Sequence, residues 1–480
     1  MCAFVLAHDG SLVREKIVFR YGILFPYFFS FDIIKIEEQM KHLSQNIRVA
    51  IEKDNPSILR IEEKCIKCGQ CARVCNAMMS VNNYYDLEKT KGNAVCVHCG
   101  QCIKVCPQNA IVGQDDFLKV EKLRKGSKKV FVVSTAPSVR VALGDEFGLD
   151  MGEFVEGKMV ALLKQLGFDY VLDVNFGADL TICEEAAEFV SRLNSGENIP
   201  QFTSCCPSWV RFVEMFYPKY LKNLSTCKSP IAMQAAMVKS YFATQMKLDP
   251  KNIVNVVVTP CVAKKAEIKR AEITGTDFVI TTSELAAWAK MKKVDFGGLK
   301  EEKFDKLMGT ASGGGVIFGN SGGVLESTLR TAYFYLTGKH LEHLKLDTKI
   351  VRDYDGFRDA EIEFAGRKLK VCICFGLANA RRLLEMLDEG VHYDLVEVMA
   401  CPGGCVGGGG QPKHLGQEAE FQKARRESLY ARDKKLKSSG AHQNKEIKKL
   451  YKKFLKKPND KLAEEFLHTN FVDRSGELGE

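Results

Sequence analysis

Five stretches of this chain bring together residues that could do chemistry. Cys65, Cys68, Cys71 and Cys75 form C-x2-C-x2-C-x3-C, and Cys96, Cys99, Cys102 and Cys106 repeat that spacing with Pro107 behind the last. Thiolates so spaced wrap an iron–sulfur cubane, three from one run and the fourth from the other. Cys65, Cys68, Cys71 and Cys106 would hold one 4Fe-4S cluster, and Cys75, Cys96, Cys99 and Cys102 the second. Zinc also takes C-x2-C pairs, but it asks for two pairs, not two four-cysteine runs. The third stretch, Glu397–Pro412, reads EVMACPGGCVGGGGQP. Its Cys401 and Cys405 sit among glycines, which let backbone approach a bulky inorganic group. The fourth, TSCCPSW over Thr203–Trp209, has Pro207 where a helix would begin, so Cys206 falls at a helix N-terminus that favours a thiolate. Adjacent cysteines cannot serve one compact cluster equivalently, so one of Cys205 and Cys206 is a ligand and the other has another task. The fifth, TPCVAKKAE over Thr259–Glu267, repeats the pattern. A strand ends, Pro260 opens a helix, and Lys264 lies one turn past Cys261 on the same face, where a cation can donate to an anionic ligand.

Composition sets the frame for these motifs. The chain has 480 residues, 18 of them cysteine, and is 45% hydrophobic, enough for a large core and for several domains. The cysteines are not spaced like a secreted disulfide scaffold. With no signal peptide read, tight C-x2-C clusters point to metal-bound thiolates in a reducing compartment. The net charge of +9 is compatible with an acidic protein partner and does not call for nucleic acid. Residues 1–50 read as an extension of unknown role. Their apolar run Tyr21–Phe31 is too short to span a bilayer and contains Pro26, so no stable membrane insertion is expected.

The elements that must position the motifs change character along the chain. A small α+β, ferredoxin-like two-cluster domain is expected at 51–125. From Lys129 strand and helix patterns alternate. Val130–Ser134, Tyr170–Val174, Ile253–Val258, Phe278–Thr281, Leu369–Cys374 and Leu395–Met399 are short apolar runs, most followed by helical patterns. This predicts a large α/β domain at 126–415 with two parallel or mixed sheet lobes, closed by a helical segment at 416–480. In such folds ligands sit past the carboxyl ends of strands, where Ala136-Pro137-Ser138, Cys205-Cys206, Cys261 and Cys401 all fall.

At this point the chain resembles a known family. TSCCPSW, TPCVAKKAE and EVMACPGGCVGGGGQP are similar to the three signature motifs of FeFe-hydrogenases. The paired cysteine runs resemble that family's accessory ferredoxin domain, and Lys423–Phe471 resembles its small subunit, fused at the C-terminus. The resemblance implies an H-cluster, a 4Fe-4S cubane joined by one cysteine to a two-iron unit with CO, cyanide and a bridging dithiolate amine. It implies Cys206, Cys261, Cys401 and Cys405 as cubane ligands, with Cys405 the bridge. Lys264 would hydrogen-bond one cyanide, Pro137 and Ser138 would pack near the other, and Cys205 would pass protons to the amine. Met399 keeps a methionine near the two-iron unit, whereas Thr259 stands where the family usually has another. Ser208 and Gly407 replace a usual glycine and asparagine.

A proton path can be read separately. Glu185, Glu188 and Arg192 lie at i, i+3 and i+7 of a helix read over Asp179–Arg192, so they share a face, and Ser225 follows in LSTCKSP. Carboxylates and hydroxyls in series can both take and give protons. The resemblance aligns Cys205, Glu185, Ser225, Glu188 and Arg192 with the family's relay. Cys183, Cys227, Cys372 and Cys374 read as small core residues. Lys445–Lys457 reads as an amphipathic helix with Ile447, Leu450, Tyr451, Phe454 and Leu455 buried. The resulting expectation is reversible reduction of protons to H2 by a monomer, with ferredoxin as electron partner and maturation proteins as builders of the two-iron unit. The setting would be the cytoplasm, or a hydrogenosome-like anaerobic organelle in a eukaryote. The alternatives are a non-enzymatic iron–sulfur assembly factor that keeps the cubane alone, or a hydrogen sensor.

Overall fold

The computed structural model describes residues 47–341, 352, 353 and 355–479. The run Tyr21–Phe31 and Cys2 lie outside them. Residues Asn46–Glu480 form one compact unit.

The first part is built on two short strands, β1 (Ile58–Arg60) and β2 (Ile111–Gly113), paired antiparallel. Between them lie the two cysteine runs and helices α1 (Gln70–Ala77) and α2 (Gln101–Val105). Both helices start from a left-handed glycine, Gly69 and Gly100, at φ 78° and 71°. A side chain at Gly100 would also collide with Val262. Here glycine meets two needs at once, a positive φ and close packing.

The second part holds two four-stranded sheets. One has the order β4-β3-β6-β7 and is parallel throughout: β3 (Val130–Thr135), β4 (Tyr170–Asp173), β6 (Ile253–Thr259) and β7 (Phe278–Thr281). The other has the order β5-β10-β9-β8, formed by β5 (Gln201–Phe202), β8 (Phe357–Phe364), β9 (Arg367–Phe375) and β10 (Leu395–Met399). Here β10 runs parallel to both neighbours, and β8–β9 is an antiparallel hairpin. Strands β3 and β6 are apolar along almost their whole length, as expected of strands covered on both faces. All six runs read as strands are strands, with ends displaced by up to two residues. Strand β8 escaped the reading because its sequence, FRDAEIEF, alternates charged and apolar residues at a sheet edge.

Helix α3 (Val174–Ser195) begins directly at the end of β4 and runs for 22 residues, earlier and longer than the expected Asp179–Arg192. Asp173 caps it by accepting from Asn175 N at 2.9 Å. Helix α4 (Pro207–Phe216) has Cys206 as its N-cap residue and Pro207 in its first turn. Helix α5 (Ala263–Glu267) is a single turn with Val262 as its cap. Pro260 therefore does not open that helix. Two non-helical residues, Cys261 and Val262, follow it, and the Pro260 carbonyl instead accepts from Gly410 N at 2.8 Å. Helix α6 (Gly323–Thr337) packs against α3, and α7 (Glu418–Lys435), α8 (Lys445–Leu450) and α9 (Lys461–Leu467) complete the chain. Ile447, Leu450, Tyr451 and Leu455 are buried in the same core as α3, with Phe454 packed against it.

Candidate metal centre

The loops that follow β3, β5, β6 and β10 converge. Together they line one cavity with Pro137, Ser138, Cys205, Cys206, Thr259, Cys261, Lys264, Met399, Cys401 and Cys405. Five thiols come from three separate loops, two loops belonging to one sheet (after β5 and β10) and one to the other (after β6). Apart from Ser208, the rest of the wall is apolar or bare backbone. Glycines make the approach possible. Gly404 sits at φ +96°, and a Cβ there would lie 2.5 Å from Ser321 N. A Cβ at Gly408 would run into the Pro260 carbonyl. The loop is pinned by Ser321 N donating to Gly403 O at 2.9 Å and by Gln411 Nε2 donating to Ser138 O at 2.9 Å.

These residues suit a cationic inorganic group. Burial pushes the Cys261 thiol up to about 11 and the Cys401 thiol well above its ordinary value. Thiols buried this deeply release their protons only when a metal compensates the charge. Ser138 Oγ is fully buried and has no hydrogen-bond partner among the described residues, although it borders the cavity. Burial works to lower the Lys264 ammonium, but Glu267 and Cys261 outweigh it and hold it above its usual range. Lys264 Nζ lies 2.9 Å from Glu267 Oε2 and donates to the Cys205 carbonyl at 3.0 Å. Glu267 was missed in the sequence. Its spacing, three residues after Lys264, was the available signal.

The two cysteine runs form two further pockets. One is lined by Cys65, Cys68, Cys71 and Cys106, the other by Cys75, Cys96, Cys99 and Cys102. Cys68 is exposed, whereas Cys99 and Cys102 are buried. The second pocket abuts the glycine loop: a Cβ at Gly409 would lie 2.7 Å from Gly100 Cα and 2.8 Å from Cys99 O. Gln101 Nε2 donates to Gly407 O at 3.0 Å, and Lys104 Nζ to Pro412 O at 2.6 Å.

On the other side of the cavity, α3 presents Glu185, Glu188 and Arg192, all buried. Ser225 Oγ donates to Glu188 Oε2 at 2.6 Å, and Arg192 Nη2 donates to Glu188 Oε1 at 2.6 Å. Glu185 Oε2 is buried with no partner among the described residues. Burial first, then the neighbouring Glu188 and Glu397, push the Glu185 carboxyl up to about 8. Glu397, on β10, also went unread. Its carboxylate accepts from Gly322 N at 2.6 Å and Leu325 N at 2.9 Å, tying the start of α6 to the strand that leads to Cys401. Cys183, Cys372 and Cys374 are buried in the core, as is Cys227, but the Cys227 thiol is more than a core residue: it donates to Glu188 Oε2 at 3.8 Å.

Fold and site thus define a redox protein built to hold several iron–sulfur groups in line. The chain matches "Iron only hydrogenase large subunit, C-terminal domain" over residues 129–409, "Iron hydrogenase small subunit" over 419–474 and "4Fe-4S dicluster domain" over 64–111. It is 40% identical to the NADP-reducing hydrogenase subunit HndD of Solidesulfovibrio fructosivorans, across 98% of this chain and 81% of that one. It is 38% identical to iron hydrogenase 1 of Clostridium pasteurianum, across 88% and 77%. A cytosolic Fe-S cluster assembly factor of Xenopus tropicalis is 30% identical across 76% and 80%. Among solved structures, apo HydA1 of Chlamydomonas reinhardtii, an FeFe-hydrogenase in a cysteine-to-histidine variant, superposes with a TM-score of 0.66 at 35% identity, covering 75% of this chain and 99% of that one. The chain belongs to the FeFe-hydrogenase family, with a 4Fe-4S dicluster domain and an H-cluster domain. No helix among the described residues is long and apolar enough to cross a membrane.

Proposed function

We propose that this chain catalyses the reversible reduction of protons to H2 with electrons from a ferredoxin-type carrier. The observation that carries this reading is the convergence of Cys206, Cys261, Cys401 and Cys405 on one cavity, with Cys205 and Lys264 at its wall. In this reading those four cysteines hold the cubane of the H-cluster, and Cys405 also holds the two-iron unit. When bound, the H-cluster supplies the redox chemistry by which two protons and two electrons combine. Lys264, its ammonium fixed by Glu267 and the Cys205 carbonyl, would be a donor to an anionic ligand of the group. Pro137, Ser138, Thr259 and Met399 shape the wall and keep water out. Cys205 holds the proton at its thiol sulfur. Glu185, protonated below about pH 8, Ser225 and Glu188 hand protons on, and Arg192 orients the Glu188 carboxylate.

Cys65, Cys68, Cys71 and Cys106, with Cys68 exposed, would hold one 4Fe-4S cluster near solvent, and Cys75, Cys96, Cys99 and Cys102 a second against the glycine loop; the two would supply electron transfer to the site. The divisions 51–125, 126–415 and 416–480 follow this path: ferredoxin-like wire, catalytic part, small-subunit-like cover. Maturation proteins deliver the two-iron unit to the chain, which works as a monomer inside a cell or anaerobic organelle.

The assembly-factor relatives motivate a second reading, in which the chain keeps the cubane and performs no hydrogen chemistry. Cys205 and the buried Glu185–Ser225–Glu188 series weigh against it, because a scaffold has no use for a proton path. Infrared spectra of anaerobically matured protein decide between the two. CO and cyanide bands with H2 turnover support the enzyme. Iron for cubanes alone, with neither bands nor turnover, overturns it. Turnover with reduced ferredoxin and with NADPH, measured side by side, separates a ferredoxin donor from the NADP-linked chemistry that the name HndD describes.

A further inference from the structure

Glu188 is the outermost carboxylate of the relay, and beyond Ser225 it is bonded to Arg192, to Thr226 and, by a longer 3.8 Å contact in which the thiol donates, to Cys227 Sγ. Arg192 is a guanidinium, which holds its charge and neither takes up nor gives away protons in practice. The other route runs through Thr226. Its backbone N and its Oγ1 both donate to Glu188 Oε1, at 3.1 Å and 3.3 Å. The same hydroxyl lies 2.7 Å from His468 Nδ1. His468 stands just past α9 in the C-terminal segment, bridged to Cys227 by backbone pairing. Its other nitrogen, Nε2, is 3.1 Å from Glu184 Oε2. Tyr451 donates to Glu184 Oε1 at 2.5 Å, and Asn459 N donates to Oε2 at 2.7 Å. Glu184 is fully buried, whereas the His468 side chain keeps 11% exposure. The titratable groups around the imidazole are Glu184 and Glu188 from α3 and Cys227 from the segment after Ser225, with Tyr451 reaching the same Glu184 carboxylate and the Lys228 ammonium turned to the Phe466 carbonyl.

We propose that His468 is the proton terminus of the relay, exchanging with solvent and connecting to Glu188 through the Thr226 hydroxyl. This rests on the hydrogenase reading above. Histidine is the side chain whose charge ordinarily changes near neutral pH, which an entry group needs. In the inward direction, imidazolium Nδ1–H passes to Thr226 Oγ1 as that hydroxyl releases its own proton to the Glu188 carboxylate. One N–H and one O–H bond break, and two O–H bonds form. The ring is left neutral as the Nε2–H tautomer, anchored by the Glu184 carboxylate, and is recharged from solvent. Outward transfer is the reverse. The small-subunit-like segment thereby contributes a positioning residue to the proton path as well as covering the core.

The test uses fully matured protein. His468→Asn keeps a donor near Nδ1 but does not titrate, and Thr226→Val removes the hydroxyl and leaves the ring. Both should retain iron content and CO and cyanide bands, lose about tenfold or more in H2 evolution, and lose the near-neutral limb of the pH profile. Free imidazole should restore part of the His468→Asn rate, and Thr226→Ser should recover what Thr226→Val loses. An independent readout is the infrared carboxyl band of Glu188, identified by its absence in Glu188→Gln. Its deuterium shift should appear quickly in heavy water in the unmodified protein and slowly in His468→Asn. Unchanged rate, profile and carboxyl exchange in both variants would overturn the proposal. If His468→Asn loses iron, the Thr226→Val and Thr226→Ser pair decides alone: equal rates for the two overturn it. No H2 turnover by the unmodified, matured protein overturns the hydrogenase reading and this proposal with it.

Discussion

Ser225 and Glu188 are locked together by a 2.6 Å hydrogen bond from hydroxyl to carboxylate, inside a protein core where neither meets solvent freely. That pair is the middle of the proton path, and the first prediction addresses it. Glu188→Gln keeps the shape and a hydrogen-bonding partner for Ser225 but cannot hold a transferable proton. H2 evolution should fall by about a hundredfold, with iron content and infrared bands retained. Turnover within twofold of the unmodified protein would remove Glu188 from the path.

Cys205 and Cys206 are neighbours with different predicted fates. Cys205→Ala should abolish most turnover and leave the H-cluster assembled, since Cys206 remains at the cap of α4. Cys206→Ala should instead lower the iron bound in the catalytic part. Iron and sulfide analysis beside rate measurement distinguishes them. Near-normal evolution by Cys205→Ala would exclude its proton role.

The protonation of Glu185 has a consequence for stability. Its carboxyl is pushed from an ordinary 4.5 up to about 8, chiefly by burial. Above pH 4.5 the unfolded chain releases this proton while the folded protein keeps it. The folded state therefore binds more protons across that window, and stability falls as pH rises from about 4.5 to about 8. The cost at the upper end is about 3–5 kcal/mol. Glu185→Gln should flatten this decline. Thermal midpoints measured from pH 5 to 8 check it, and parallel curves for the two proteins would refute it.

Arg140 is fully buried, pairing with Asp173 at 2.8 Å and Glu156 at 2.6 Å and donating to the Thr135 carbonyl at 3.2 Å. It holds the turn bearing Pro137 and Ser138 against the cap of α3. Arg140→Met leaves the Asp173 carboxylate buried without its cation, which costs about 3–5 kcal/mol. Chemical denaturation of the two proteins measures it. A loss below about 1 kcal/mol would show that the site relaxes around the missing charge.

Thr259 ends β6 and faces the cavity with Cys261 and Met399, only 2% exposed. Thr259→Met replaces a hydroxyl by a polarisable thioether and touches no ligand. Iron content should stay constant while the bridging-CO band and the ratio of H2 uptake to evolution shift. One altered polar contact is worth about 1 kcal/mol, enough to change the ratio severalfold. An unmoved band and ratio would mark the substitution as packing alone.

What the sequence determined by itself is local. The spacing within Cys65–Cys75 and Cys96–Cys106 dictates which metal chemistry can form, because ligand reach is set by a few bonds of backbone. Apolar β-branched runs announce β3, β6 and β10, because burial on both faces leaves no room for polar side chains. The helical period puts Glu185, Glu188 and Arg192 on one face before any packing is known. Tertiary structure decided the rest. Only the meeting of two sheets brings Cys206 and Cys401 to Cys261, from loops far apart in the chain. The edge hairpin β8–β9 has no apolar run on its first strand, so its pairing comes from its neighbour. Pro260 could have opened a helix on local grounds, but its carbonyl is taken by Gly410 N, and the helix waits until Ala263. His468 carries no local sign of a partner. It reaches Thr226 and Glu184 because the buried stripe of the C-terminal helices docks onto the α3 core, and that docking is a long-range hydrophobic choice.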